Sequence, residues 1–242
     1  MSGWLEPKYV AWLVHGFLMT LVVSALAGIA ATMLGFALAL MRSARRRVLT
    51  GLAAVYVIVF RNSPLLVQLL FWYFGVATLL PQDWMTWLNS PHAISLGPVL
   101  IAWPPFEFVA GWVGLTCYTA AFVSEEFRAG IQGVRSGQYH AAAALGLTPL
   151  ATFRHVVLPQ AIRIATPSLA GQYMNLVKNS SLTMAVGLAE LSYMSRQVDT
   201  ETFKTFQAYG AATVLYIATI AVIEVLLVVW RQRQAVLQGG RA

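Results

Sequence analysis

Charge is scarce in this chain: Asp, Glu, Lys and Arg make up only 10% of its 242 residues. Soluble domains usually carry about 25%. So few ions cannot solvate a folded surface of this size. The apolar excess, 58% of the residues, therefore needs a solvent other than water, and a bilayer is that solvent. Cysteine is nearly absent as well. A lone Cys117 excludes an intramolecular disulfide framework and a cysteine-built zinc site, and its apolar surroundings in sequence read as those of a small buried hydrophobe. The four histidines, His15, His92, His140 and His155, fall at different depths or sides, so no metal site is expected. No basic region precedes a short apolar stretch with a cleavage site, so no removable signal peptide is expected. The phosphate-cradling GxxxxGK[ST] is missing too, which excludes a nucleotide-hydrolysing role. Glu125 and Glu126 are adjacent carboxylates, but a hydrolase also needs a positioned nucleophile or a metal. Glu125 with Arg128 reads as an ion pair at the base of a helix.

What the chain does have is long uncharged runs. A membrane-spanning helix needs about 20 mostly apolar residues. Trp12 to Met41, Phe108 to Val123, Ile164 to Leu188 and Tyr209 to Trp230 qualify, the Ile164 segment through its flanking Thr and Ser residues. Val48 to Leu80 is broken by Arg61-Asn62-Ser63-Pro64 and reads as two short spans, or as one span with an interfacial lead-in. Positive charge decides, because Lys and Arg collect on the cytoplasmic side. With one span there, Arg42, Arg45, Arg46 and Arg47 fall inside, as do Arg128, Arg135, Arg154, Arg163, Arg231, Arg233 and Arg241. That puts eleven of the 16 basic residues inside, while Lys8, Arg196 and Lys204 fall outside. Two spans would send the arginine-rich loops outside. The expectation is an all-α integral membrane protein: five transmembrane helices, N-terminus outside, C-terminus cytoplasmic. The net charge of +7 belongs to this topology and not to nucleic-acid binding. Residues 1–242 read as one domain, with no internal repeat and no low-complexity linker.

Pro81 to Pro105 contains Trp84, Trp87, Trp103, Pro91, Pro98, Pro104 and Pro105 but no Lys or Arg. Tryptophan favours the headgroup layer, and these prolines oppose a long helix. The segment reads as an external loop on the membrane surface, with a substrate-gating role open by analogy with functional loops.

The segment that follows the third span, about 134–163, is different. Alanine-rich His140 to Gly146 predicts a helix. Pro149 forces a turn, and a second short helix is expected from Pro149 to Leu158, ended by Pro159. Two readings of this helical hairpin stay open on physical grounds: a cytoplasmic docking surface whose small alanines permit close approach, or an amphipathic loop resting on the membrane.

This segment resembles the signature loop of permease subunits of ATP-binding-cassette importers, Glu-Ala-Ala, three residues, Gly, nine residues, Ile-x-Leu-Pro. Here it stands as His140-Ala141-Ala142, three residues, Gly146, nine residues, then Val156-Val157-Leu158-Pro159. His140 departs from the usual Glu and removes a negative charge that would face the ATPase. Phe60 to Gly75 (FRNSPLLVQLLFWYFG), the set Glu125, Arg128, Gly130 and Ile131, and the set Gln172, Tyr173, Asn175, Lys178, Asn179, Ser180, Ser181 and Leu182 resemble the polar amino acid permeases. The similarity runs from about Thr20 to Arg233 and is strongest to glutamate/aspartate-type members. It implies a type I importer permease fold with a cytoplasmic coupling helix, in the inner membrane of a bacterium. Implied partners are separate ATPase subunits that bind ATP and Mg, a second permease chain (a copy or a sister), an external substrate-binding protein and an amino acid substrate. No cofactor is expected in this chain itself. The residues implied in ATPase coupling are Gly137, Gln138, His140, Ala141, Ala142, Gly146, Leu147, Leu158 and Pro159. An ATP-independent secondary transporter or channel would explain the spans but leave this loop without a purpose, and such proteins often show inverted repeats.

Ionisable groups at membrane depth cost about 2.5–3.5 kcal/mol on insertion scales, so each marks function or pairing. Arg61 beside Asn62, and Lys178 beside Asn175, Asn179 and Ser180, are candidates with Gln172 for a substrate path that attracts amino acid carboxylates. The alternative is structural: Arg61 and Lys178 pair with Glu125, Glu126 or Glu224.

Overall fold

The structure, a computed structural model, describes residues 3–44, 46–90, 93–96, 99–102 and 104–239. The expectations for Arg45, Pro91, His92, Pro98, Trp103 and Arg241 fall outside the described residues. Helix dominates, as the composition implies. The elements are α1 (Pro7–Ser43), α2 (Arg47–Asn62), α3 (Leu65–Leu70), a π-turn (Phe71–Gly75), α4 (Val76–Leu79) and α5 (Gln82–Asn89). Then come the strands β1 (Ala93–Leu96) and β2 (Val99–Ala102), followed by α6 (Phe106–Gln132), α7 (Ser136–Ala144) and α8 (Pro149–Thr152). A second π-turn (Phe153–Val157), α9 (Leu158–Asn179), a 3-10 turn (Ser180–Val186), α10 (Leu191–Thr202) and α11 (Thr205–Gly239) complete the chain.

Among the described residues three helices are long and apolar enough to cross a membrane: α1, α6 and the Thr205–Arg233 part of α11. The pair Arg47–Asn62 and Leu65–Leu79 would make a fourth span if counted together, but it bends by 106° at Ser63-Pro64. Pro64 offers no N–H to continue the helix. The bend leaves polar groups that the chain satisfies itself: Gln68 Nε2 donates to the Ser63 carbonyl at 3.2 Å and to Ser63 Oγ at 2.8 Å. The fifth expected span, Ile164 to Leu188, lies on α9 and the 3-10 turn after it. At 22 residues α9 is long enough, but Arg163, Gln172, Asn175, Lys178 and Asn179 keep it from being apolar enough. Within 81–105 the structure has the short helix α5 and the antiparallel β1–β2 hairpin, with Ala93 opposite Ala102.

One expectation is corrected. Pro159 does not end a helix. The π-turn at Phe153–Val157 resets the backbone, and α9 starts at Leu158, which leaves Pro159 in its first turn. There the missing N–H has no intrahelical partner to lose. A second proline, Pro167, sits inside α9.

Two compact units appear. The first comprises Met1–Ala27, Ser63–Tyr118 and Leu176–Tyr216. Its main core joins Val23 and Ala27 with Leu65, Leu69, Leu115 and Leu176. A second cluster packs Leu13 against Leu191, Val198, Ala208 and Ala212. Glu190 is fully buried there as the N-cap of α10, accepting from the backbone N–H groups of Ser192 (2.9 Å) and Tyr193 (2.8 Å). It also accepts from the hydroxyls of Tyr216 (2.9 Å) and Thr20 (3.4 Å). One carboxylate thus ties α1, α10 and α11.

The second unit comprises Gly28–Asn62, Thr119–Asn175 and Ile217–Ala242. Ala39, Val123, Phe127, Ala165 and Leu169 form one of its cores, and Ala31, Leu38, Ala53 and Ala120 another. Small residues permit this packing. A methyl group at Gly130 would lie 2.5 Å from the Ala161 carbonyl oxygen, and one at Gly35 2.9 Å from that of Ala120. Close backbone approach of this kind is how helices associate where lipid removes the hydrophobic drive between them. By contrast most of α11 between Thr205 and Arg233 is left uncovered, and α1 exposes Val14, Leu18, Val22, Leu26, Ile29 and Met33. Those faces are left for lipid or for another chain.

Replacing Glu190 by Ala would strip two N–H groups and two hydroxyls of their buried acceptor. A loss of about 4 kcal/mol or more is expected, since four groups lose their acceptor and each unsatisfied buried group costs about 1–3 kcal/mol. It would be read as a lowered unfolding midpoint in detergent.

Candidate functional site

The segment after α6 is a helical hairpin whose sequence explains each turn. Alanine favours α7. Gly146 ends it at φ +71 with space around its Cα, so glycine is needed for the left-handed backbone and not for room. The Leu147 N–H reaches the Ala142 carbonyl at 3.1 Å and the Gly146 N–H that of Ala143 at 3.0 Å, the bonding of a Schellman cap. Thr148 then caps α8, accepting from the Ala151 N–H at 3.3 Å, with Pro149 in the first turn. Val134, Val157 and Ala161 anchor the hairpin, with Ile131 and Phe153 against them.

Its outer surface is apolar to a degree the sequence pattern did not reveal. Leu145 is 80% exposed and Leu150 75%, and Tyr139 and Leu147 are also exposed. Of the residues expected to couple, Gly137, Gln138, His140, Ala141, Gly146, Leu147 and Pro159 are exposed, while Leu158 is half-buried and Ala142 buried. The Gln160 side chain donates to Gln138 Oε1 at 3.3 Å and to the Val156 carbonyl at 2.8 Å, joining the two limbs. Leu145 and Leu150 escaped the sequence reading because they sit in short turns with no helical period to mark a face.

In the same unit, Glu125 of α6 gathers three arginines. Arg128 donates from Nε (2.9 Å) and Nη2 (2.6 Å) to Oε2, Arg42 of α1 donates from Nη1 to Oε1, and Arg61 Nη1 lies 3.6 Å from Oε1. Arg61 also stacks over the Phe122 ring at 5.3 Å. The sequence suggested the Glu125 pairs with Arg128 and with Arg61. It gave no sign of Arg42, which only the fold brings there. Gln172 donates to Glu126 Oε1 at 2.9 Å, and Asn62 and Asn175 are exposed.

In the first unit Lys178 is exposed, Asn179 half-buried and Ser180 buried. Ser180 turns its hydroxyl to the Val177 carbonyl at 2.8 Å. No carboxylate pairs with Lys178 among the described residues.

The family model for the binding-protein-dependent transport system inner membrane component matches residues 31–235. This chain belongs to that family. It is 33% identical over 222 residues to the glutamate/aspartate import permease protein GltJ of Escherichia coli (strain K12), covering 92% of this chain and 87% of that one. It is 38% identical over 202 residues to the probable glutamine ABC transporter permease protein GlnM of Bacillus subtilis (strain 168), covering 84% and 83%. Among solved structures, that of an amino acid ABC transporter with histidines aligns with TM-score 0.78 at 29% identity, covering 93% of this chain and 95% of that one. An inward-facing methionine ABC transporter, MetNI, shares the fold at TM-score 0.70 and 19% identity. This family member is therefore an amino acid ABC permease and not an enzyme: a multi-pass inner-membrane subunit of an ABC transporter whose ATPase is a separate subunit.

His140 is exposed on α7 between the exposed Tyr139 and Ala141. His140→Glu should change substrate-stimulated ATPase activity of the assembled complex by less than about twofold, as expected for one exposed ion pair.

Proposed function

We propose that this chain is one transmembrane domain of an importer for acidic amino acids, with five spans, the N-terminus outside and the hairpin of residues 137–160 in the cytoplasm as its coupling helix. The exposed Leu145 and Leu150 support the docking reading. Apolar side chains at the tip of a short polar-flanked turn gain most by burial in a groove of another protein. ATP and Mg are held by the ATPase, and its closure is passed through Gly137, Gln138, His140, Ala141, Ala142, Gly146 and Leu147 to Leu158, Pro159 and α9 as rigid-body movement. A second permease chain completes the path, and an external binding protein delivers the substrate.

The observation that carries the acidic substrate is Lys178, an exposed ammonium near the end of α9 with no carboxylate paired to it among the described residues. A cation left without a counter-ion in a membrane helix marks a substrate or ion path. Asn175 and Asn179 flank it and supply neutral hydrogen-bonding groups. Arg61 is better explained as a partner of Glu125, and Gln172 as a partner of Glu126. The 38% identity to a probable glutamine permease favours glutamine as a second substrate, bound through its α-carboxylate.

The test is uptake of labelled glutamate, aspartate, glutamine and arginine by proteoliposomes holding the full complex. Lys178→Met should lower glutamate and aspartate uptake about tenfold or more, the loss of one charge-assisted hydrogen bond, while Lys178→Arg retains most of it. Unchanged uptake and selectivity in an assembled Lys178→Met complex would overturn the proposal.

A further inference from the structure

Three positive charges converge on one negative charge around Glu125. A guanidinium carries five N–H donors and a carboxylate about four acceptor sites, so one carboxylate cannot satisfy three forks. Arg128 gives its Nη1 to Gln132 Oε1 at 3.0 Å, and the neighbouring Glu126 accepts from Gln172, so three guanidinium charges stand beside two carboxylates. Arg42 and Arg128 are half-buried and Arg61 half-exposed. Surplus charge in such a place calls for an anion.

The level of the cluster says which anion. Arg42 is the first charged residue after the uncharged run Tyr9–Met41 of α1. Glu125 is the first after Phe108–Ser124 of α6, and Arg61 the first after Val48–Phe60 of α2. The uncharged runs of α1 and α6 thus end at one point in space, and Arg61 of α2 joins them there. Uncharged runs end where hydrocarbon ends, and the next layer is phosphate. α1 and α6 reach the cluster from their apolar sides, so a lipid acyl chain beside them would bring its headgroup to the same level.

We propose that Arg42, Arg61 and Arg128, held in register by Glu125, seat the phosphate of an anionic membrane phospholipid. Glu125 here is a positioning residue that spaces the forks, and the arginines are the ligands. Arg61 is the most open of the three, and its guanidinium is braced on the Phe122 ring. Basic pockets between membrane helices bind anionic headgroups on these grounds.

The test uses the full-length chain in nanodiscs of equal phosphatidylglycerol and phosphatidylcholine, with retained lipid counted by native mass spectrometry after gentle release. The wild-type chain should retain phosphatidylglycerol preferentially. Arg61→Gln should cut that preference about fivefold, the effect of one basic residue at a lipid surface. Glu125→Gln, which removes the negative charge and spares the arginines, should leave the preference equal or stronger. Inorganic phosphate at millimolar concentration should not displace the lipid. Equal retention of both lipids by the wild type would overturn the assignment. So would loss of preference in Glu125→Gln with none in Arg61→Gln, the signature of an internal ion-pair lock. Displacement by inorganic phosphate would reassign the seat to a soluble anion. Loss of retained phosphatidylglycerol on adding the ATPase would reassign it to an acidic side chain of that partner.

Discussion

Hydrocarbon accepts neither an ion nor an unpaired peptide group without a cost of several kcal/mol, and this constraint governs how the chain is built. It explains why most charge lies outside the long apolar runs, and why Arg42, Arg61 and Arg128 meet at a carboxylate and do not scatter. It also explains the local repairs. At the bend after α2 the Gln68 side chain takes up Ser63, and at the start of α10 the buried Glu190 takes up two N–H groups and two hydroxyls. With no hydrophobic drive between helices in lipid, contact is made by shape, and Gly35 and Gly130 let backbones approach where any side chain would collide.

The same solvent rule isolates the hairpin between α6 and α9. It displays four large apolar residues, Tyr139, Leu145, Leu147 and Leu150, on short helices and the turn between them. Its shape is fixed from within: the left-handed Gly146, the Thr148 cap and the Val134–Val157–Ala161 anchor hold the turn. A rigid, apolar-tipped lever directly continuous with α9 can carry a push from a soluble subunit into a membrane helix. In an ABC permease that is the mechanical task to be done, since the ATPase is a separate protein.

Much of this could be read from residue order. Long uncharged runs gave α1, α6 and α11, and the motif from His140 to Pro159 gave the family. What could not be read depended on packing or on backbone detail. The π-turn at Phe153–Val157 shifts Pro159 from a helix stop to a helix start, and nothing local announces it. Arg42 looked like one of a row of topological charges, and only the parallel run of α1 beside α6 brings it to Glu125. Glu190 carries no signal in sequence as a buried cap, because its hydroxyl partners Thr20 and Tyr216 are 170 and 26 residues away. Leu145 and Leu150 sit where helical periodicity is too short to tell an inner face from an outer one. Lys178 was legible as an anomaly at once, and the structure adds that it has no carboxylate beside it among the described residues.

The central claim is that the hairpin between α6 and α9 is where an ATPase pushes. The most direct measurement is site-specific crosslinking in the assembled complex. Leu150→Cys is combined with Cys117→Ser and treated with a short bifunctional maleimide, with and without ATP. The account predicts a crosslink to the ATPase subunit whose yield changes on ATP binding, and none from a cysteine placed in the 81–90 segment. A Leu150→Cys chain that reacts with soluble maleimide yet never crosslinks to the ATPase, in a complex shown to be assembled, would contradict it.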